Sequence, residues 1–310
     1  MKLATYLHNG KESFGVVVDG GLCDIPALWP GGPGSLLEAL RSGPAVLARI
    51  TELSAADRAT IPAGGVRLLA PIPAPPKVIG LAVNYLEHHR EYERGHAMPD
   101  DPSRTTTPRP FLMPATAVIG PGEEIPWPDH SRQIDYEIEL AVVIGGKARR
   151  IRPDEAAGCI AGYTIANDVS ARSVTHAQGR APRPRDEFFD WLHGKWADGF
   201  CPLGPWIVTA DEIGDPMNLK LELSVNGQVR QSSSTANMIF DVFEIVSFCS
   251  HLMTLMPGDV IATGTPSGVG LADGRFLSAG DVITCRIEKI GELSNTLGRP
   301  PREVYTPCGK

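Results

Sequence analysis

The stretch DYEIELAVVIG, residues 135–145, reads as a β-strand over 136–144. Side chains on a strand alternate faces with a period of two. Tyr136, Ile138, Leu140, Val142 and Ile144 therefore share one apolar face, while Glu137, Glu139, Ala141 and Val143 share the other. Two carboxylates project side by side from an otherwise apolar strand, with Cβ atoms about 6–7 Å apart. At an effective dielectric of about 20 their repulsion is roughly 2–3 kcal/mol, and desolvation adds to that cost. A bound cation removes the conflict. The alternative is an antiparallel strand whose two glutamates face water.

Moving outward, AGYTIANDVSAR (161–172) carries a strand over 161–166 with Asp168 at its end, where functional side chains often emerge. The alternative for Asp168 is a turn former or helix N-cap. Three oxygen ligands without Cys or His suit a hard cation, Mg²⁺, Mn²⁺ or Ca²⁺, and not zinc. Spacing alone does not bring Asp168 to the glutamates. In NYLEHHREYERG, from Asn84, His88 and Glu91 share a helix face. A carboxylate there can fix the imidazole tautomer and make a general base. His89 and Glu93 repeat the geometry on a neighbouring face, and the alternative for both pairs is an exposed, charge-laced helix. GKWADGFCPLGP, from Gly194, sets Lys195 and Asp198 among glycines, aromatics and prolines. Lys195 either points into a pocket to neutralise an anion or snorkels at the surface. MTLMPGDVIATGTPSGVG (253–270) ends a strand in a loop with Gly264, Gly268 and Gly270. Such a loop can offer N–H groups to a carboxylate or enolate, or it is a tight connection. It fits neither a dinucleotide nor a phosphate-loop fingerprint.

The rest of the chain frames these segments. A length of 310 residues fits one large domain or a small one plus a larger one. With 42% apolar and 21% charged residues the chain reads as globular. A net charge of -7 gives no footing on a phosphate backbone, so no nucleic-acid partner is expected. No apolar run is long enough to span a membrane, and MKLATYLHNG lacks the apolar core of a secretory signal. The cysteines at 23, 159, 201, 249, 285 and 308 stand singly, which fits a reducing cytoplasm. Phe14 to Val18, the turn Asp19-Gly20-Gly21, and Leu22 to Ile25 predict a hairpin. Ser35 to Arg41 predicts a helix capped by Ser35. The proline-rich connector Pro71 to Pro76 sets the boundary between a small β-rich unit, 1–72, and a larger one, 73–310. Beyond it, 77–83 reads as a strand and 84–108 as a short helix followed by a mobile loop. Further strands are expected near 205–209, 219–225, 259–263 and 281–288, with helices over Pro153–Cys159 and Met238–Leu255.

Taken in order, NYLEHHRE, DYEIELAVVIG, AGYTIANDVSAR, GKWADGFCPLGP, VNGQVRQSSSTANMIF (from Val225) and PGDVIATGTPSGVG resemble the fumarylacetoacetate hydrolase superfamily over about Lys77 to Gly298. The resemblance implies a mixed, β-rich α+β fold: a β-roll catalytic domain with a small β-rich N-terminal domain, usually a homodimer. It implies a divalent metal, usually Mg²⁺, on Glu137, Glu139 and Asp168. It assigns catalysis to His88, Glu91 and Lys195, and substrate contact to Arg172 and Thr265. The implied activity is hydrolysis of a carbon–carbon bond in a small β-diketo acid, an acylpyruvate or fumarylpyruvate-like compound, as in the catabolism of aromatic compounds. Decarboxylation and keto–enol isomerisation of a dicarboxylic keto acid use the same metal site and remain the alternative. The chain departs from many relatives at Met113, where they have lysine, and at Ser173, Val174 and Thr175 after Arg172.

Overall fold

A computed structural model describes residues 1–55, 59–92 and 102–307. Residues 93–101, part of the loop expected over 84–108 and including Glu93, lie outside the described residues, as does Cys308.

The strand that opened the sequence argument is Ile138–Ile144, and it lies deep in a twelve-stranded sheet. On one side it pairs antiparallel with Ile160–Asn167, which pairs in turn with Cys201–Thr209. On the other it pairs with Val260–Ala262, beyond which come Val78–Leu81 and Pro110–Met113. The sheet continues past Cys201–Thr209 into Lys2–His8 and then the hairpin Lys11–Val18 and Gly21–Asp24. That hairpin is the expected one, with Gly20 at φ 77° in its turn, a conformation that costs glycine little. A five-stranded sheet, ordered Gln228–Ser234, Lys220–Val225, Val282–Ile287, Gly291–Leu297 and Glu124–Ile125, and a two-stranded one pairing Ile134–Asp135 with Ser170–Ala171 complete the β-structure of the described residues. The fold is thus mixed α+β and β-rich, and among the described residues the larger sheet is an open path, not a closed barrel.

Both faces of Ile138–Ile144 are covered, which overturns the reading of a half-exposed strand. Ile138, Leu140, Val142 and Ile144 pack with Leu221, Leu223, Ile283 and Ile287 of the smaller sheet, and with Ile245 and Val246. The last two belong to the helix Val242–Leu252. Asp241 caps this helix by accepting from Phe243 and Glu244 N–H, while Glu244 reaches back to the Asp241 N–H. The reciprocal cap explains why the helix starts after the expected Met238. On the opposite face Ala141 and Val143 pack with Leu3, Phe14, Leu36, Leu40 and Ile50. Leu36–Arg41 is the expected helix with Ser35 accepting from Glu38 N–H. The connector Pro71 to Pro76 carries neither helix nor strand. Lys2 and Leu3 nevertheless pair with Val208 and Ile207, so the larger sheet runs through both units.

Candidate metal and active site

Strand register brings the three acidic residues together. Ile138 pairs with Asn167 and Glu139 with Ala166, so Asp168 arrives opposite Glu137. The Asp168 N–H donates to the Glu137 carbonyl at 2.9 Å. Carboxylate oxygens of Glu137, Glu139 and Asp168 lie within 4.8 Å of one another, and the residues are 6%, 1% and 1% exposed. Asp168 is therefore neither a turn former nor a helix cap.

Lys195, 2% exposed, donates from Nζ to Glu137 Oε2 at 2.8 Å and Asp168 Oδ2 at 2.7 Å. It is no snorkelling lysine, whereas Asp198 beside it is exposed. Arg172 donates to the other Glu137 oxygen and, at 2.9 Å, to Asp135 Oδ2. Glu139 Oε2 accepts from Gly264 N–H at 2.7 Å. Two oxygens, Glu139 Oε1 and Asp168 Oδ1, are buried with no hydrogen-bond partner. Four buried carboxylates, those of Asp135, Glu137, Glu139 and Asp168, face the two cations Lys195 and Arg172. The excess of two negative charges, the all-oxygen donor set and the two orphaned oxygens fit a hard divalent cation.

The electrostatics agree. Burial pushes the Glu139 carboxyl well above its usual range, and the neighbouring Asp168 and Glu137 push it further. Burial also lifts Asp168 to about 6, against the pull of Lys195. Burial acts the same way on Glu137, but Lys195 and Arg172 outweigh it and hold that carboxyl at about 2. Burial disfavours the Lys195 ammonium, yet Asp168 and Glu137 more than compensate and keep it charged.

The helix Leu86–Tyr92 is seated against this cluster, with His88 and His89 only 5% and 4% exposed, so it is not an exposed charged helix. His88 Nδ1 lies 3.7 Å from Glu91 Oε2. Glu91 is fixed from behind, since Gly268 N–H reaches both of its oxygens at 3.1 Å. The glycine-rich loop thus does offer amides to carboxylates, but to the protein's own. Gly264 serves Glu139, Gly268 serves Glu91, and Gly270 N–H serves Asp135 at 2.6 Å. Gly264 and Gly268 have φ of 95° and 99°. A Cβ on Gly268 would lie 2.1 Å from the Arg230 carbonyl oxygen, so a side chain is excluded there.

A cavity of about 330 Å³ opens onto the cluster. His88, Glu137, Asp168, Arg172, Lys195 and Thr265 line its polar end, together with Arg109. Phe111, Phe188 and Trp191 make an apolar wall, with Phe111 and Trp191 edge to face at 5.0 Å. Six of the eight site residues expected from sequence therefore share one cavity, and the other two, Glu139 and Glu91, stand directly behind it. Sequence reasoning missed Asp135, which accepts from Gly270, Leu271 and Arg172. It also missed Gln231, which accepts from Ile138 N–H at 3.0 Å and donates to Thr265 Oγ1 at 2.8 Å. Both lie within quoted motifs, and a polar residue inside a strand was the available signal. Met113 is buried in the core, and Thr175 donates to the Tyr305 carbonyl, so neither lines the cavity.

Comparison with known proteins agrees with this architecture. Residues 77–298 match the family model described as fumarylacetoacetate (FAA) hydrolase C-terminal. The chain is 40% identical over 290 residues to oxaloacetate tautomerase FAHD2A, mitochondrial, of Bos taurus, covering 93% of this chain and 86% of that protein. The solved 5-carboxymethyl-2-hydroxymuconate delta-isomerase of Mycobacterium smegmatis superposes with a TM-score of 0.72 at 35% identity, over 97% of this chain and 100% of that one. Maleylpyruvate hydrolase from Sphingobium sp. SYK-6, solved with manganese(II) and pyruvate, gives 0.75 at 30% identity over 97% and 100%. The chain belongs to the fumarylacetoacetate hydrolase family.

Proposed function

We propose that this protein is a divalent-metal-dependent enzyme that interconverts the enol and keto forms of a small 2-keto dicarboxylic acid such as oxaloacetate. The observation that carries the reading is one cavity shared by a carboxylate cluster, a buried ammonium and an imidazole backed by a carboxylate. Glu137, Glu139 and Asp168 would hold the ion, Mg²⁺ or Mn²⁺. When bound, it supplies Lewis-acid polarisation to the keto and carboxylate oxygens of a chelating substrate. In the keto-to-enol direction His88, oriented by Glu91, takes the proton from the carbon beside the keto group while the keto oxygen gains one from Lys195, and the enol-to-keto direction reverses both transfers. Lys195 donates to the oxygen on which negative charge develops. Arg109 and Arg172, both on the cavity wall, suit a second carboxylate. The tautomerase and isomerase relatives support this reading, while the maleylpyruvate hydrolase supports the carbon–carbon hydrolysis that the motifs first suggested.

Hydrolysis stays as the second reading because of the apolar wall. Phe111, Phe188 and Trp191 give a surface for an acyl tail that a four-carbon acid does not use. In that case His88 deprotonates water, which attacks the distal carbonyl; the carbon–carbon bond then breaks, and the departing pyruvate enolate takes a proton back from His88. A side-by-side assay separates the two. Decay of enol-oxaloacetate is followed by its ultraviolet absorbance, and cleavage of acylpyruvates of increasing tail length by loss of the diketone band. Faster turnover of enol-oxaloacetate supports the tautomerase. Exclusive turnover of acylpyruvates overturns it in favour of the hydrolase.

A further inference from the structure

On the far side of the cavity wall stands a second cluster that the reaction does not use. Asp190 and His193 belong to the helix Asp186–His193, and His176 to the 3₁₀ turn Thr175–Ala177. His193 Nδ1 lies 3.4 Å from His176 Nε2, and that same His176 nitrogen lies 3.6 Å from Asp190 Oδ1. One ligand atom from each of the three residues falls within 4.8 Å of the others. Zinc–nitrogen bonds of about 2.0–2.1 Å in a tetrahedron place neighbouring ligand atoms about 3.3–3.4 Å apart. Two of the three separations, 3.4 and 3.6 Å, are close to those edges. A second observation points the same way. The His130 ring lies 6.1 Å from the His176 ring, and its Nε2 is buried with no hydrogen-bond partner. His130 Nδ1 lies 3.8 Å from Asp129 Oδ1, an ion-pair distance beyond hydrogen-bond range.

We propose that His176, Asp190 and His193 form a second cation site for a borderline transition ion such as Zn²⁺, with His130 lying beside that set of three but outside it. Imidazole nitrogens with one carboxylate select Zn²⁺ or Co²⁺ over Mg²⁺, the reverse of the all-oxygen site. The charged groups facing the cluster are Arg180 and Asp186. Arg180 donates to both Asp190 oxygens at 2.7 and 2.6 Å, and its Nε lies 3.2 Å from Asp186 Oδ2. The arginine opposes a cation by its charge. It also fixes Asp190 and leaves each oxygen a free lone pair, as outer-sphere partners of ligating carboxylates do. The helix that carries His193 also carries Phe188 and Trp191 into the cavity, and Lys195 follows two residues later. An ion here therefore ties the cavity wall to the segment that follows Arg172.

The test is a titration of the full chain in excess Mg²⁺, which occupies the oxygen site. Co²⁺ is the spectroscopic probe and Zn²⁺ the calorimetric one. The expected result is one equivalent of Co²⁺ per chain with an intense visible band of tetrahedral type, displaced by Zn²⁺. The band persists in Glu139→Gln. It is lost in His176→Ala and His193→Asn, with Zn²⁺ affinity weakened at least about 100-fold, the upper end of what losing a mere outer-sphere partner costs. Circular dichroism checks each variant, and His176→Gln replaces His176→Ala if the latter does not fold. Absence of saturable Zn²⁺ binding in Mg²⁺, or equal Zn²⁺ affinity in wild type and histidine variants, overturns the proposal and leaves a histidine hydrogen bond and an ion pair only.

Discussion

Glu139 carries an electrostatic conflict within the site. It is buried, faces Asp168 and Glu137, and keeps one oxygen unpartnered. Glu139→Gln keeps the shape and can still accept from Gly264, but cannot ionise to bind a cation. We expect it to abolish Mg²⁺ and Mn²⁺ binding in calorimetry while the metal-free protein melts higher, by roughly 2–4 °C. Undiminished ion affinity would remove Glu139 from the ligand set. The pH dependence has a definite sign. The folded-state values of Glu139 and Asp168 are raised, the latter to about 6. As pH rises from the ordinary carboxylate range, at about 4, the unfolded chain loses these protons while the folded chain retains them. Metal-free stability contributed by these two groups is therefore lost as pH climbs through their folded values. An ion needs them ionised and reverses that loss. The rise in melting temperature on adding Mn²⁺ should grow from pH 5 to pH 8, and a rise independent of pH contradicts the account. At His88, replacement by alanine should cost about 10²–10⁴ in turnover with ion affinity unchanged. Glu91→Gln should cost a smaller part of the same step.

At the scale of elements, the glycine loop holds the carboxylates still. Gly268→Ala must place a Cβ 2.1 Å from a carbonyl oxygen at φ 99°, and Gly268 is the amide that fixes Glu91. We expect a loss of about 1–3 kcal/mol in chemical denaturation and a fall in kcat larger than any rise in KM. A variant with wild-type stability and kcat would refute the positioning role. The opening strand was legible because alternation makes both the apolar face and the paired glutamates visible in nine residues. The Lys11–Val18 hairpin and the Ser35 cap were legible for the same reason, local chemistry at fixed offsets. Asp186–His193 was not. Its aromatic residues Phe188 and Phe189 are half exposed, so no core-facing stripe marks it. Gln228–Ser234 was hidden by a run of serines, although its Gln231 ties Ile138 to Thr265. Lys2–His8 finds its partner Cys201–Thr209 some two hundred positions away, a pairing that no local pattern encodes.

For the whole molecule, the two sheets and the N-terminal hairpin bury the central strand on both faces and leave its glutamate end open to one cavity. That convergence of Glu137, Glu139 and Asp168 depends on register between distant strands. The sequence could name the three residues through the family's motifs, but spacing could not join them. The homodimer that the resemblance implies is checked by light scattering, which should return twice the 33.2 kDa of one chain. The central claim is that the three carboxylates hold one cation in front of His88. The most direct measurement is anomalous diffraction at the manganese edge from crystals grown with Mn²⁺ and oxalate, a mimic of the chelating end of a 2-keto acid. The account predicts one strong peak bonded to Glu137, Glu139 and Asp168, with oxalate completing its coordination on the side of His88 and Lys195. No peak at this position, or a peak there with oxalate bound elsewhere, would contradict it.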